Sequence, residues 1–234
     1  MVFVDFSNPF LRRFLTDGYV KHHRQQLDGI RAQLPSWIAQ ANAAEAASGL
    51  PRRPLAVVLD IDEVILSNIH MNSFQAEAGE QGPESVDFHA CDYYAAPDGR
   101  PWPRDDLRLN PLLAGARELL EAIRDHGVAV YLITGRLNAI REETVENFVF
   151  VGLAGSGANF VFDEAKMRSP DARTLIMLDE PLPAGASVRP FKEGQRKLID
   201  ATHRIVLNVG DQVSDMGLYG DVQVRTAHPF YYTT

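Results

Sequence analysis

Four short, continuously apolar runs constrain this chain more than any other feature: LAVVL at 55–59, VAVYLI at 128–133, TLIML at 174–178 and RIVLNV at 204–209. A strand that is apolar on both sides must be covered on both sides, which is the signature of a parallel sheet. The segments between the runs carry helical patterning. NPLLAGARELLEAIRDHG at 110–127 closes on Gly127, NAIREETVENFVFVG spans 138–152, and KEGQRKLIDATH spans 192–203. Strands alternating with helices predict an α/β, Rossmann-like sheet sandwiched by helices. DVQVRT at 221–226 supplies a short last strand, and NFVFD at 159–163 a further short one.

Two regions fall outside this alternation. Residues 9–47 read as helical after a plausible start at Pro9, with Pro35 expected to split the segment in two. Residues 68–110 are irregular and rich in Gly, Pro and aromatics, too long for a plain connection. The expected organisation is therefore a helical segment at 1–54 contributing to a cap, a core from 55–67 and 111–234, and a small, mostly helical cap or lid inserted at 68–110.

The formal net charge of -8 argues against a general nucleic-acid or membrane-surface binder, though a local cation can still draw an anionic substrate into one pocket. A single cysteine, Cys91, excludes an intramolecular disulfide, and its bland reading is a spare thiol in a loop. No apolar run approaches a membrane span. The N-terminus MVFVDFSNPFLRRF lacks a cationic start followed by an apolar core, so the sequence as written predicts a cytoplasmic protein, exported if a leader was removed.

In an open parallel sheet, ligands bind beyond the carboxyl ends of the strands. After the first run come Asp60 and Asp62; after the second, Thr134, Gly135 and Arg136; after the fourth, Gly210, Asp211 and then Asp215. Lys192 precedes the helix that leads into the fourth run. One acid after a strand is ordinarily a turn former or a helix cap. Four on one sheet edge repel one another and call for a divalent cation. Hard oxygen donors, with no paired-histidine spacing, favour Mg²⁺ over Zn²⁺. Position alone leaves Thr134 open between a helix cap and a ligand for phosphate oxygens, and it leaves Lys192 a surface lysine. Arg196 and Lys197 are expected on the outer face of their helix. Glu63 is expected to point away from the site, capping or solvating the loop.

In VVLDIDEVIL, LITGR, FKEGQRK and GDQVSDMG, taken in order, the chain resembles the haloacid dehalogenase (HAD) superfamily, in its branch of plant acid phosphatases, vegetative storage proteins and bacterial class C acid phosphatases. The resemblance implies a phosphomonoesterase with Asp60 as nucleophile and Asp62 as proton shuttle. It implies that Thr134, Gly135 and Lys192 hold the phosphoryl group. Mg²⁺ would be bound by Asp60, the Asp62 backbone carbonyl and Asp211, with Asp215 binding directly, through water, or by orienting Lys192. An acid at position 62 separates this pattern from dehalogenases, which do not need one, and from P-type ATPases, which carry threonine there.

The implied substrate is a small phosphate ester, with nucleoside monophosphates as one class. No nucleic-acid polymer or membrane is an expected partner, and oligomeric state is open. Trp102, between two prolines in the lid, is the candidate leaving-group contact. The alternatives on the same fold are a non-catalytic storage or phosphate-sensing protein, and a phosphotransferase.

Overall fold

The computed structural model describes residues 9–67, 110–183 and 186–227, with the side chains of 9–17 left aside. The lid, Trp102, Cys91 and the C-terminal aromatics lie outside the described residues.

Among the described residues, five parallel strands form the central sheet: β1 (Leu55–Leu59), β2 (Ala129–Leu137), β5 (Leu175–Leu178), β6 (Arg204–Gly210) and β7 (Val222–Arg225), in the order β5-β2-β1-β6-β7. The strand that precedes Asp60 is therefore the middle one. β3 (Ala154–Gly155) and β4 (Phe162–Asp163) pair separately, so the run at 159–163 does yield a strand, outside the main sheet.

The two faces bury different partners, because side chains alternate along β1. Val57 and Leu59 enter a core with α1 (Pro9–Ala47), α2 (Ala116–Asp125) and α3 (Arg141–Phe150), through residues such as Leu27, Leu34, Leu120 and Phe148. Ala56 and Val58 face the other way, onto Ile199 of α5 (Arg189–Asp200). Between these helices lies the one-turn α4 (Glu164–Arg168).

Two local expectations are corrected. Pro35 does not split the N-terminal segment, which is one helix of 39 residues. An interior proline costs about 3 kcal/mol. Leu27, Ile30 and Leu34 before it and Ala41 after it are all buried, and a buried leucine or isoleucine returns about 1.5–3 kcal/mol each. Burial on both sides of the proline outweighs the missing hydrogen bond.

The helix expected from 110 begins only at Ala116, because residues 110–113 have another role. Ser67 N–H donates to the Pro111 carbonyl and Leu113 N–H to the Ile65 carbonyl, both at 2.9 Å. This clasp brings together the chain on either side of residues 68–109, directly beside the loop that follows β1. Gly115 makes the bend, with φ 92° and its Cα against α1, where a Cβ would stand 3.3 Å from Leu27 Cβ.

Candidate active site

Parallel register brings the candidate residues together. Leu59 of β1 pairs with Leu132 of β2 on one side and Val209 of β6 on the other. Asp60 lies one residue past that row, and Thr134 and Asp211 lie two residues past it. The Asp60 N–H donates to the Val209 carbonyl at 2.9 Å, so the middle strand ends bonded to its neighbour.

Asp60, Asp211 and Asp215 each offer a carboxylate oxygen within 4.8 Å of the other two, and all three residues are buried. Lys192, 3 % exposed, enters from the first turn of α5. Its ammonium donates to Asp60 Oδ2 at 2.8 Å and also to Asp215 Oδ1. Asp60 Oδ1 accepts from the Ile61 N–H at 2.7 Å. Asp215 Oδ2 accepts from the Gln212 N–H at 2.9 Å, and the Gln212 side-chain amide donates to Asp211 at 2.6 Å.

Gly210 is required by close approach, since a Cβ there would sit 2.0 Å from Asp215 Cβ. Asn208, a polar residue within an apolar strand, donates to the Asp215 carbonyl at 2.5 Å. Arg196 is also buried, contrary to expectation, and donates to the Ser214 carbonyl at 3.2 Å. Positions 192, 196 and 199 share one helical face, so the burial that places Lys192 and Ile199 also turns Arg196 inward. Lys197 is exposed, as expected.

Charge balance decides what this pocket can hold. Three buried carboxylates face one ammonium, an excess of two negative charges if all are ionised. Burial, opposed by Lys192 and reinforced by Asp215 and Asp62, pushes Asp60 up to about 7. Burial and the charges of Asp60 and Asp215 push Asp211 up to about 9. Lys192 shifts upward too, because two carboxylates outweigh its desolvation. One divalent cation matches the excess, and an all-oxygen donor set suits a hard ion. The residues present therefore fit a divalent metal.

The sign of the resulting pH dependence follows from linkage. A native carboxyl that holds its proton above its unfolded pKa destabilises the fold as pH rises through that interval. His23, lowered to about 4 by burial, acts oppositely, but only up to its ordinary 6.5. The unopposed window therefore runs from pH 6.5 towards 9. Chelated protein should show a falling urea midpoint between pH 6.5 and 8.5, and a saturating divalent cation should reverse the fall.

The Asp62 carboxylate stands apart from the acidic group. Arg136 grips it with a bidentate fork, Nε to Oδ2 at 3.0 Å and Nη2 to Oδ1 at 2.6 Å, while Nη1 reaches Thr144 at 3.3 Å. The Asp62 side chain is 20 % exposed, the most open of these aspartates. Thr134 is fully buried within β2, three residues before its end, where its Oγ1 accepts from the Arg136 N–H at 3.2 Å, and Gly135 beside it is exposed.

The β2–β5 pairing is irregular between Ile133 and Leu137, which frees this stretch to turn its groups toward the edge. Sequence reading named Arg136 by position but gave it no role; nothing local signalled a partner 74 residues away. Arg136→Lys keeps the charge but loses the fork. It should lower kcat on the order of tenfold to hundredfold, within the span that general acid–base catalysis supplies, with KM little changed. Steady-state kinetics with an alkyl phosphate measures this.

A family model of the HAD superfamily, subfamily IIIB (acid phosphatase), matches residues 15–233. The chain belongs to this family. It is a phosphatase. A search of curated proteins finds no match. Among solved structures, the class C acid phosphatase from Bacillus anthracis is similar, with TM-score 0.60 and 19 % identity over 94 % of this chain and 82 % of that one. The same enzyme with tungstate bound aligns with TM-score 0.58 and 20 % identity over 92 % and 80 % of the two chains. At such identity the likeness bears on the fold, and it agrees with the parallel sheet described above.

Proposed function

We propose that this phosphatase is a Mg²⁺-dependent phosphomonoesterase that works through an aspartyl-phosphate on Asp60. The observation that carries the reading is the meeting of Asp60, Asp211 and Asp215 with a single Lys192 at the end of the middle strands. A buried carboxylate is a poor resident of a protein interior unless something compensates it. Here the compensation is incomplete until a cation enters. The tungstate named with the Bacillus anthracis enzyme is an oxyanion, which is compatible with phosphoryl binding at this edge.

Asp60 attacks phosphorus, the bond to the ester oxygen breaks, and Asp62 delivers a proton to that departing oxygen. Water then attacks the aspartyl-phosphate, Asp62 takes the water proton, and the bond between Asp60 and phosphorus breaks to release phosphate. Lys192, Thr134 and the backbone at Gly135 hold the phosphoryl oxygens and offset their charge. Asp60, Asp211 and Asp215, with the Asp62 backbone carbonyl, would hold Mg²⁺, which supplies charge neutralisation so that an anionic nucleophile can meet an anionic phosphate. Asp62 reaches the leaving group by exchanging its bonds with Arg136 for the ester oxygen.

The test is a panel of phosphomonoesters, nucleoside monophosphates included, assayed after chelation and again with Mg²⁺ restored. Turnover should vanish on chelation and return with Mg²⁺, and the thermal midpoint should rise as Mg²⁺ is added. Full activity in the chelated protein would refute the metal dependence. Including an alcohol acceptor in the assay measures transfer against hydrolysis. Comparing Trp102→Ala on nucleotide and non-nucleotide esters tests the leaving-group contact; an unchanged ratio would remove Trp102 from the site.

A further inference from the structure

We propose that Glu63 is a positioning residue that fastens the proton-shuttle turn to the N-terminal helix, making α1 part of the apparatus that delivers the Asp62 proton. The inference rests on the proton-shuttle role given to Asp62 above.

Glu63 follows Asp62 and is fully buried, against the expectation that it would solvate the loop. Its φ is 56°, a left-handed conformation that side chains other than Gly, Asn and Asp rarely take. The turn needs this backbone: the Glu63 N–H donates to the Leu66 carbonyl at 2.8 Å, and Leu66 also bridges to Asp62. Glycine would adopt that geometry with least strain. A glutamate there implies that its side chain does something glycine cannot.

Its surroundings show what that is. Tyr19 of α1 donates its hydroxyl to Glu63 Oε2 at 2.5 Å. Ser67 Oγ donates to the carboxylate at 3.3 and 3.4 Å from its two oxygens. The Glu63 carbonyl accepts from His23 Nε2 of α1 at 3.0 Å and from Thr226 Oγ1 at 3.2 Å. Burial keeps His23 neutral, so its one ring N–H points at that carbonyl.

Thr226 in turn donates its N–H to the Gly210 carbonyl at 2.9 Å, one residue before Asp211. Glu63 thus joins three places: α1, the end of the β1 loop, and the end of β6. The strap holds the backbone on one side of Asp62 while Arg136 holds its carboxylate on the other. Small displacements of a catalytic group cost large factors in rate.

The readout is the dependence of kcat/KM on the leaving group, because kcat/KM ends at formation of the aspartyl-phosphate and leaves out the later water attack, which Asp62 assists for every ester alike. Ester oxygens that depart as stable anions need little proton donation, whereas alkoxides depend on it. Glu63→Gly removes the carboxylate and relieves the backbone. Its kcat/KM for 2,4-dinitrophenyl phosphate should stay within about threefold of wild type. Its kcat/KM for a simple alkyl phosphate should fall on the order of tenfold or more, since proton transfer is worth up to several powers of ten.

Glu63→Gln can accept from Tyr19 and donate to Ser67, and it should restore the wild-type ratio between the two esters. Tyr19→Phe removes one hydroxyl from the other side of the strap and should shift the ratio the same way by about threefold or more, and it decides the question if the glycine variant does not fold. Thermal midpoints recorded in parallel separate loss of fold from loss of position. Equal loss on both esters in folded variants, or an unchanged ratio in Glu63→Gly and Tyr19→Phe, overturns the proposal. Wild-type protein inactive on both esters would overturn the phosphomonoesterase reading and this inference together; wild-type activity on both, abolished by Asp60→Asn, leaves that reading standing whatever the Glu63 variants do.

Discussion

Asp60→Asn should abolish turnover, by on the order of 10⁴-fold or more, while leaving the protein folded. Loss of a covalent nucleophile is among the largest single-residue effects in catalysis, because no neighbouring group inherits the bond-forming role. The fold should survive for an electrostatic reason. Asp60 shares its surroundings with Asp211 and Asp215, and its carboxyl is pushed up to about 7 because burial and the charges of Asp215 and Asp62 disfavour its ionisation. Asparagine removes one repelling charge and keeps an oxygen able to accept from the Ile61 N–H. Lys192 retains Asp215 as a partner. A thermal midpoint equal to or above wild type in chelated protein, with no measurable hydrolysis of an aryl phosphate, is the expected pair of observations. Near-normal hydrolysis would remove Asp60 from the chemistry.

Lys192→Met should do the reverse, damaging both fold and function. The side chain is similar in length and fits the α5 face, so packing is nearly preserved. The charge is not: Asp60, Asp211 and Asp215 would then face one another without a cation. Breaking a buried ion pair by removing one partner costs about 3–5 kcal/mol. In a chain of this size each kcal/mol moves the thermal midpoint by about 2–4 °C, so the chelated variant should melt roughly 6–20 °C lower than wild type at pH 7.5.

Added Mg²⁺ should recover more of that stability in the variant than it contributes to wild type, since it replaces the missing positive charge. Turnover should remain low even with Mg²⁺, by on the order of 10²–10³-fold, because the donor proposed for the phosphoryl oxygens is gone. A variant as stable as wild type after chelation would show that the acidic group does not depend on Lys192. Both substitutions are measured with one calorimetric scan and one ester assay, and together they separate the nucleophile from the counter-charge.

Much of the site was legible because the sheet is parallel and its strands are apolar on both faces. Polar residues that follow such strands have one place to go, the carboxyl edge, so Asp60 and Asp211 were placed there together from position, while position alone left Thr134 open between a helix cap and a ligand for phosphate oxygens. Asp215 was reachable because it lies four residues after Asp211 in the same loop, where Gly210 leaves room for it. Lys192 required the family resemblance, since a lysine near a helix start is ordinarily solvated, yet here it is 3 % exposed. The membership established over residues 15–233 agrees with that resemblance.

What was illegible involved partners far apart in sequence. Arg136 and Asp62 are 74 residues apart, Glu63 and Tyr19 are 44 apart, and Glu63 and Thr226 are 163 apart. Arg196 reads as a surface residue because arginine usually is one, until the loop after β6 covers it. Pro35 reads as a helix stop because the local cost of proline is visible in sequence and the compensating burial of Leu34 and Ala41 is not.

Local patterning by itself determined the alternation of strands and helices, and so the edge at which the acids meet. Apolar period and strand direction are properties of adjacent residues, and they need no knowledge of the rest of the chain. The strand order, the inward turn of Arg196, the grip of Arg136 on Asp62 and the left-handed strap at Glu63 were decided only by the tertiary structure. Each depends on which distant group fills the space beside a side chain, and that is settled when the helices close on the sheet.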